Sequence, residues 1–278
     1  MSQESAFWLD GTSIKALPLP DRSVDFGDGV FETLLLHRGH PLFLDMHFTR
    51  LGRGLKALAM PDCRPAAQRQ VEQVLSTLNT ASPWAVMRLS VIRAPGPRGY
   101  APAQHQHPRI LICVTPMERD CTKMSPAATL TVATIRLAAQ PALAQIKHMN
   151  RLEQVLAAQQ AQAEQVDECF LLDQAEQLVS VIAGNIFLVR AGELLTPLLV
   201  DCGVAGTRRR MIIEKWAPAI GLQVREARLT LPDLQSSEEV FYSNSLQTVR
   251  PVGRLGDRYW DNHDVCDALF RRYLEDLS

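Results

Sequence analysis

Charge of one sign is not in excess in this chain: 29 Lys and Arg stand against 30 Asp and Glu, a formal net charge of -1 over 278 residues. No broad basic field is available to attract nucleic acid or an anionic membrane, so any anion the protein binds must be held by a local site. Long hydrophobic runs are also missing. The longest, such as Arg109 to Pro116, fall far short of the roughly 20 residues that a spanning helix needs. The N-terminus, Met1 to Asp10, has no basic start followed by an apolar run, so no secretory signal is read there. The six cysteines, Cys63, Cys113, Cys121, Cys169, Cys202 and Cys266, form no CxxC pair. That argues against a zinc site and a disulfide framework, and for reduced thiols in a cytoplasmic protein. The histidines, His37, His40, His47, His105, His107, His148 and His263, lack metal-ligand spacing, so no metal is expected. Gly-x-Ser-x-Gly and dinucleotide fingerprints are absent, as are internal repeats.

What is present is apolar: 46% of the residues are hydrophobic, enough for one large domain or two ordinary ones. Leu44, Phe48, Leu51, Leu55 and Leu58 recur at alternating steps of four and three, which predicts a helix packed on a sheet. Strand-like runs cover Val30 to Leu36, Ala85 to Ile92 and Arg109 to Thr115. Between the last two, Arg93 to Pro102 carries three prolines and two glycines and reads as a long loop. Polar residues from Glu118 to Pro126 read as an interdomain connection, and a new strand is expected at Leu130 to Ile135. Asn150 before Arg151-Leu-Glu153 predicts an Asn-capped helix from Arg151 to about Gln165. Further strands are expected at Glu168 to Leu172, Asn185 to Val189 and Glu239 to Tyr242, with helices at Thr207 to Ala219 and Asp264 to Leu277. The fold class expected is α/β (α+β). A small N-terminal domain at 1–116 and a large C-terminal domain at 117–278 would be separated by a cleft.

Four segments could carry chemistry. Lys147 lies between a strand and a capped helix; it is either a solvated surface charge or an amine presented in a cleft, where burial would favour its neutral, nucleophilic form. Cys202 to Arg208 places glycines before a helix start, where free N–H groups make an anion site. Arg208, Arg209 and Arg210 by themselves read more readily as a solvated helix face than as phosphate ligands. Arg50 sits beside the Leu44 stripe but not on it, which on spacing alone favours an exposed arginine over one reaching into the cleft. Arg98, on the long loop, could clamp a carboxylate, and Ser243, Asn244 and Ser245 could donate to a phosphate or form a turn.

Taken together, the segments Asp21 to Thr33, Arg98-Gly-Tyr100, Ile146 to Gln154 and Asn244 to Val252 resemble the fold-type IV pyridoxal-phosphate enzymes, whose architecture is like that of D-amino acid aminotransferase. Phe26-Gly-Asp-Gly29 is shared across that superfamily. Arg98-Gly-Tyr100 and Ile146 to Gln154 look like its aminodeoxychorismate lyase branch. The resemblance implies pyridoxal 5'-phosphate as cofactor, Lys147 as the Schiff-base lysine, and Arg50 as a phosphate ligand. It also implies a phosphate cup from the amides at Thr207 and Arg208 after Gly206, with Ser245 and its neighbour Asn244. It implies Arg98 as a substrate carboxylate ligand, Thr33 as a possible proton donor or simply a strand residue, a homodimer, and supply of the substrate by an aminodeoxychorismate synthase. A neutral Lys147 amine would be favoured by burial beside Arg50.

One position departs from the family pattern. Asn185-Ile-Phe187 fixes the register, and five residues earlier, where the family places a glutamate that keeps the pyridine nitrogen protonated, stands Ser180. A hydroxyl supplies no counter-charge, which weakens the cofactor as an electron sink. That should harm a transaminase more than a lyase whose product is aromatic. A D-amino-acid or branched-chain aminotransferase, or a non-catalytic pyridoxal-phosphate binder, remains the alternative.

Overall fold

A computed structural model describes residues 5–78, 82–103 and 107–277; His105 lies outside these. The chain forms two compact units, Met1–Asp120 with Ile146–Asn150, and Cys121–Gln145 with Arg151–Ser278. The break falls a few residues beyond the expected 116, because the last long strand of the first unit runs to Met117. The larger difference is that the segment carrying Lys147 joins the first unit and not the second. Its backbone explains this: Phe31 N–H donates to Lys147 O at 2.9 Å and Met149 N–H to Gly29 O at 3.0 Å.

The first unit contains β1 (Ala6–Leu9), β2 (Thr12–Ser13), α1 (Arg22–Phe26), β3 (Gly29–His37), β4 (His40–Pro41), α2 (Leu44–Ala57), α3 (Arg64–Thr77), β5 (Trp84–Ile92) and β6 (Arg109–Met117). The strands form one sheet in the order β2-β1-β6-β5-β3-β4. Alternation along β3 and β5 sends Val30, Leu34, Leu36, Met87, Leu89 and Val91 into a core with Leu51 and Leu55 of α2 and Val71 and Val74 of α3. The predicted stripe from Leu44 to Leu58 is the face of α2 that meets this core. Both helices thus cover one face, and Phe31, Thr33 and Arg88 belong to the other.

The second unit contains β7 (Ala128–Leu137), α4 (Leu152–Ala163), β8 (Glu168–Asp173), β9 (Leu178–Val181), β10 (Asn185–Arg190), β11 (Glu193–Pro197) and α5 (Thr207–Met211). A π-helical turn, Ile212–Trp216, then leads through α6 (Ala217–Ala219) to β12 (Val224–Ala227), α7 (Leu231–Gln235), β13 (Glu239–Asn244), β14 (Thr248–Leu255), β15 (Arg258–Tyr259) and α8 (Asp264–Leu277). The main path is β12-β11-β10-β13-β14-β7-β8-β9, with β15 on β14. A bridge from Val181 to Gly184 brings the end of β9 to the start of β10, so the sheet curls toward closure. Leu130, Phe170, Leu178, Ile186, Leu195, Val240 and Val252, one from each of seven strands, pack together on one side of it. On the other side Ala157 and Ala161 of α4 meet Cys169 and Leu171.

Two helix expectations are corrected. The helix after Asn150 starts at Leu152, with Arg151 as its cap and no side-chain capping bond. Asn150 Nδ2 donates instead to Gly27 O at 3.1 Å, and the Glu153 carboxylate accepts from Ala138 N–H at 2.8 Å. The run predicted as one helix over 207–219 is helical throughout but passes through the π turn. Among the described residues no helix is long and apolar enough to cross a membrane.

Candidate active site

In the first unit the site is built on β3, where successive side chains point to opposite faces. Glu32 points toward α2. It accepts from Arg50 Nε at 2.9 Å, is bonded by Arg50 Nη2 as well, and lies 2.6 Å from His47 Nδ1. All three side chains are buried. Arg50 is therefore not the exposed helical arginine that its spacing favoured. Its place beside the apolar stripe leaves it within reach of a carboxylate on the sheet, and bidentate pairing meets the cost of burying both charges. Burial pushes the Glu32 carboxyl up, but the Arg50 guanidinium, bonded and close, outweighs it with help from His47, and the result is about 2.

Phe31 points to the other face. The Lys147 ammonium nitrogen lies 4.6 Å from its ring centre, and the Arg88 guanidinium carbon lies 3.8 Å from the same centre. Thr33 is directly opposite Arg88 in the β3–β5 register, so the two share this face. Lys147 is half-buried. Of the two arginines, Arg88 shares the Phe31 ring with Lys147, whereas Arg50 pairs with Glu32 from the α2 side. Thus the expected neighbour of the lysine, Arg50, is paired with a carboxylate on the opposite side of β3. Arg88 drew no attention in the sequence because one arginine in an alternating strand reads as an ordinary solvent-facing residue.

The Phe26-Gly-Asp-Gly29 motif has a structural explanation. Gly27 ends α1 at φ 61, a left-handed conformation suited to glycine. Asp28 pairs with Arg22 at 2.8 Å and with Arg93 at 2.9 Å, fixing the turn that enters β3. Arg22 also donates to Gly99 O and Tyr100 O, which holds the loop carrying Arg98. Arg98 itself is exposed and lines a recess of about 520 Å³ with Asp21, Arg22, Asp25 and Phe26. Phe31, Thr33, Arg88 and Lys147 are not among the residues around that recess.

In the second unit the polar cluster surrounds the start of α5. Gly206 caps it, and its N–H donates to Asn185 Oδ1 at 3.0 Å, while Asn185 Nδ2 donates to Val204 O at 2.8 Å. A Cβ at 206 would run into that Asn185 oxygen, so only glycine fits. Thr207 Oγ1 and Ser245 Oγ lie 3.3 Å apart. Arg208 is fully buried and donates to Ser245 O at 3.3 Å; Arg209 is buried and pairs with Glu226 at 2.8 Å. The alternative of a solvated arginine face therefore fails for these two, whereas Arg210 pairs with Glu214 across one helical turn. Asn244 forms a turn: its Oδ1 accepts from Leu246 N–H at 2.9 Å and Gln247 N–H at 2.7 Å. Its side chain is thereby engaged by its own loop. Ser243, buried opposite Asn185, has a hydroxyl without a partner among the described residues.

Ser180 is buried on β9, opposite Leu171 of β8. Sequence reasoning missed the neighbouring Glu168. Burial raises this carboxyl to about 7 against the opposing effect of the Ile182 and Ala183 amides and, further off, Arg250. Alternation puts Glu168 with Phe170 and Leu172, on the opposite side of β8 from Leu171, so it does not stand in for a carboxylate at 180.

Residues 29–255 match the amino-transferase class IV family. The chain belongs to that family. An aminodeoxychorismate lyase of Vibrio harveyi is 32% identical over 251 residues, covering 90% of this chain and 91% of that protein. A provisionally named branched-chain-amino-acid aminotransferase of Methanocaldococcus jannaschii is also 32% identical, over 246 residues, 88% of this chain and 84% of that one. The crystal structure of 4-amino-4-deoxychorismate lyase from Pseudomonas aeruginosa superposes with a TM-score of 0.86 at 34% identity, covering 98% of this chain and 99% of that chain. The fold is thus the fold-type IV architecture. The relatives include both lyases and aminotransferases. Each unit by itself holds residues of the kinds that fit pyridoxal phosphate: in the first, an amine on an aromatic ring and a buried arginine; in the second, two neighbouring hydroxyls at a helix start and a buried hydroxyl at Ser243 without a partner among the described residues.

Proposed function

We propose that the protein is a pyridoxal-phosphate-dependent lyase that converts 4-amino-4-deoxychorismate to 4-aminobenzoate and pyruvate, a step of folate biosynthesis. Pyridoxal phosphate, when bound, supplies an aldehyde that condenses with amines and a ring that withdraws electrons. The observation that carries the reading is the position of the Lys147 amine over Phe31, on the same sheet face as Thr33. Lys147 would hold the group through its aldehyde, and the neutral form of its amine would take the proton from ring carbon C4 of the substrate. The C–O bond to the enolpyruvyl group breaks as the ring becomes aromatic, with Thr33 as proton donor to the departing group. Arg50, the amides of Thr207 and Arg208 after Gly206, and the Ser245 hydroxyl bind the phosphate. Glu32 supports Arg50, and Asn244 acts by shaping the Ser245 turn. Arg98 receives a substrate carboxylate.

Ser180 favours the lyase over an aminotransferase. A hydroxyl supplies no fixed negative charge to keep the pyridine nitrogen protonated, and Glu168 lies on the other side of the strand pair. Aromatisation relieves a lyase of part of the demand for an electron sink. We take the working form to be a cytoplasmic homodimer supplied by an aminodeoxychorismate synthase.

The test is a coupled assay with chorismate, glutamine and that synthase, reading 4-aminobenzoate and pyruvate in equal amounts. A parallel reaction with D-alanine or a branched-chain amino acid and 2-oxoglutarate should yield little glutamate. Glutamate without 4-aminobenzoate would assign the aminotransferase reading. A bound, borohydride-reducible cofactor with neither product would assign a non-catalytic binder.

A further inference from the structure

Lys147 lies on a short segment, Ile146–Asn150, that belongs to the first unit although the chain on both sides of it belongs to the second. Its backbone contact with β3 is slight. Phe31 N–H donates to Lys147 O at 2.9 Å and Met149 N–H to Gly29 O at 3.0 Å, on either side of a single antiparallel bridge between Val30 and His148. In that register Lys147 stands opposite Phe31, which brings its amine to the Phe31 ring. A slip of one residue would turn the lysine to the other face of the sheet. A bridge of one pair beside a glycine specifies its register weakly, because the backbone groups it uses are alike at every residue. A contact made by a particular side chain has to supply what the bridge does not.

Asn150 makes that contact. Its Nδ2 donates to Gly27 O at 3.1 Å, and the amide lies so close to the glycine that a Cβ at 27 would come within 2.9 Å of Asn150 Oδ1. A Cβ at 29 would come within 2.9 Å of Met149 Sδ, so Met149 fills the place of a missing side chain. Gly27 and Gly29 thus form a socket cut for residues 149 and 150, and the socket is braced by the pairing of Asp28 with Arg22 and Arg93. Asn150 is itself exposed and adds little to the core. We propose that Asn150 is a positioning residue: seated on Gly27, it fixes the register of the lysine-bearing segment against β3 and so holds the Lys147 amine at Phe31. The two glycines of the Phe26–Gly29 motif then serve the lysine 120 residues away in sequence as well as the turn they form.

This inference rests on the reading of Lys147 as the amine that meets the cofactor aldehyde, but its test does not depend on turnover. Pyridoxal phosphate and pyridoxamine phosphate share the ring and the phosphate, and only the first has the aldehyde, so the ratio of their dissociation constants measures what a correctly placed amine adds. The wild type should bind pyridoxal phosphate at least about tenfold more tightly. Asn150→Ala should lower that ratio at least about fivefold, leave the affinity for pyridoxamine phosphate within about twofold, and lower Tm by no more than about 4 °C. Asn150→Asp, of the same size but without the N–H donors, should behave as Asn150→Ala does. In a Lys147→Ala protein, Asn150→Ala should leave the ratio where Lys147→Ala alone puts it. No preference in the wild type, a ratio unchanged in both Asn150 variants, equal losses for both ligands, or a further fall in the Lys147→Ala protein would each overturn the proposal. A ratio brought near one by Lys147→Ala but unmoved by Asn150→Ala would defeat this inference alone. A ratio that depends on both residues without 4-aminobenzoate formation in the coupled assay would uphold it and defeat the lyase reading.

Discussion

In the first unit two carboxylates each meet two basic side chains: the buried Glu32 meets Arg50 and His47, and the half-buried Asp28 meets Arg22 and Arg93. In the second, the largely buried Glu168 meets backbone amides and an arginine, Arg250, that is already paired with Asp167 at 2.8 Å. The consequence is opposite titration. Glu32 is held down at about 2 and Glu168 pushed up to about 7, both from 4.5. One unit uses its carboxylates to fix the cations of the site, and the other keeps a carboxyl that is more at ease protonated. The same contrast separates the polar groups proposed for binding. The first unit offers charged side chains, Lys147 and Arg50, whereas the second offers hydroxyls and a helix start at Gly206 and Thr207.

The most severe way to break this comparison is to remove the amine of the first unit. Lys147→Ala should lower the rate of 4-aminobenzoate formation by about 10³-fold or more while the protein still binds pyridoxal phosphate, as seen by equilibrium dialysis. Near-normal turnover would take Lys147 out of the chemistry. Next is Glu32→Ala, which leaves Arg50 buried without its carboxylate and should cost about 3–5 kcal/mol in urea unfolding. A loss below about 1 kcal/mol would mean that Arg50 finds water easily and that Glu32 does not fix it.

Glu168→Gln sharpens the titration contrast. A folded-state value raised above 4.5 gives stability that is fully present below pH 4.5 and is lost as the pH rises through about 7. The wild type should therefore lose on the order of 1–3 kcal/mol from Glu168 between pH 5 and 8, and the variant should not. For Glu32 the sign reverses, with stability present above pH 4.5 and lost as the pH falls toward about 2. A Glu168→Gln melting curve with the wild-type slope above pH 5 would remove the contrast. The smallest effect is expected from Ser180→Glu, which should raise glutamate formation from D-alanine and 2-oxoglutarate severalfold more than it raises 4-aminobenzoate formation, on the scale of one restored charge interaction. Equal changes in both rates would show that the absent carboxylate does not select the lyase.

Much of the fold was legible because apolar spacing is a direct consequence of packing. The stripe from Leu44 to Leu58 and the apolar runs that became β3, β5 and β6 mark out the core of the first unit. Helix α3 escaped notice because its buried face consists of Ala67, Val71 and Val74, a faint signal among glutamines and arginines. Asn150 looked like a cap because residue type and spacing fit one; the amide is instead drawn to Gly27 O, a partner 123 residues away that local sequence does not reveal. Arg50 misled for the same reason, since the carboxylate that allows its burial lies 18 residues upstream on another element. Lys147, Thr33 and Ser245 could be singled out by resemblance, whereas Arg88 and Glu168 required the strand register, which no single strand encodes.

The central claim is that Lys147 is the reactive amine. It is tested by loading the wild-type protein with pyridoxal phosphate, reducing with borohydride, digesting, and locating the pyridoxyl group by mass spectrometry. The account predicts one stoichiometric label, on the peptide containing Lys147. A label on another lysine, such as Lys123 or Lys215, or no label at saturating cofactor, would contradict it.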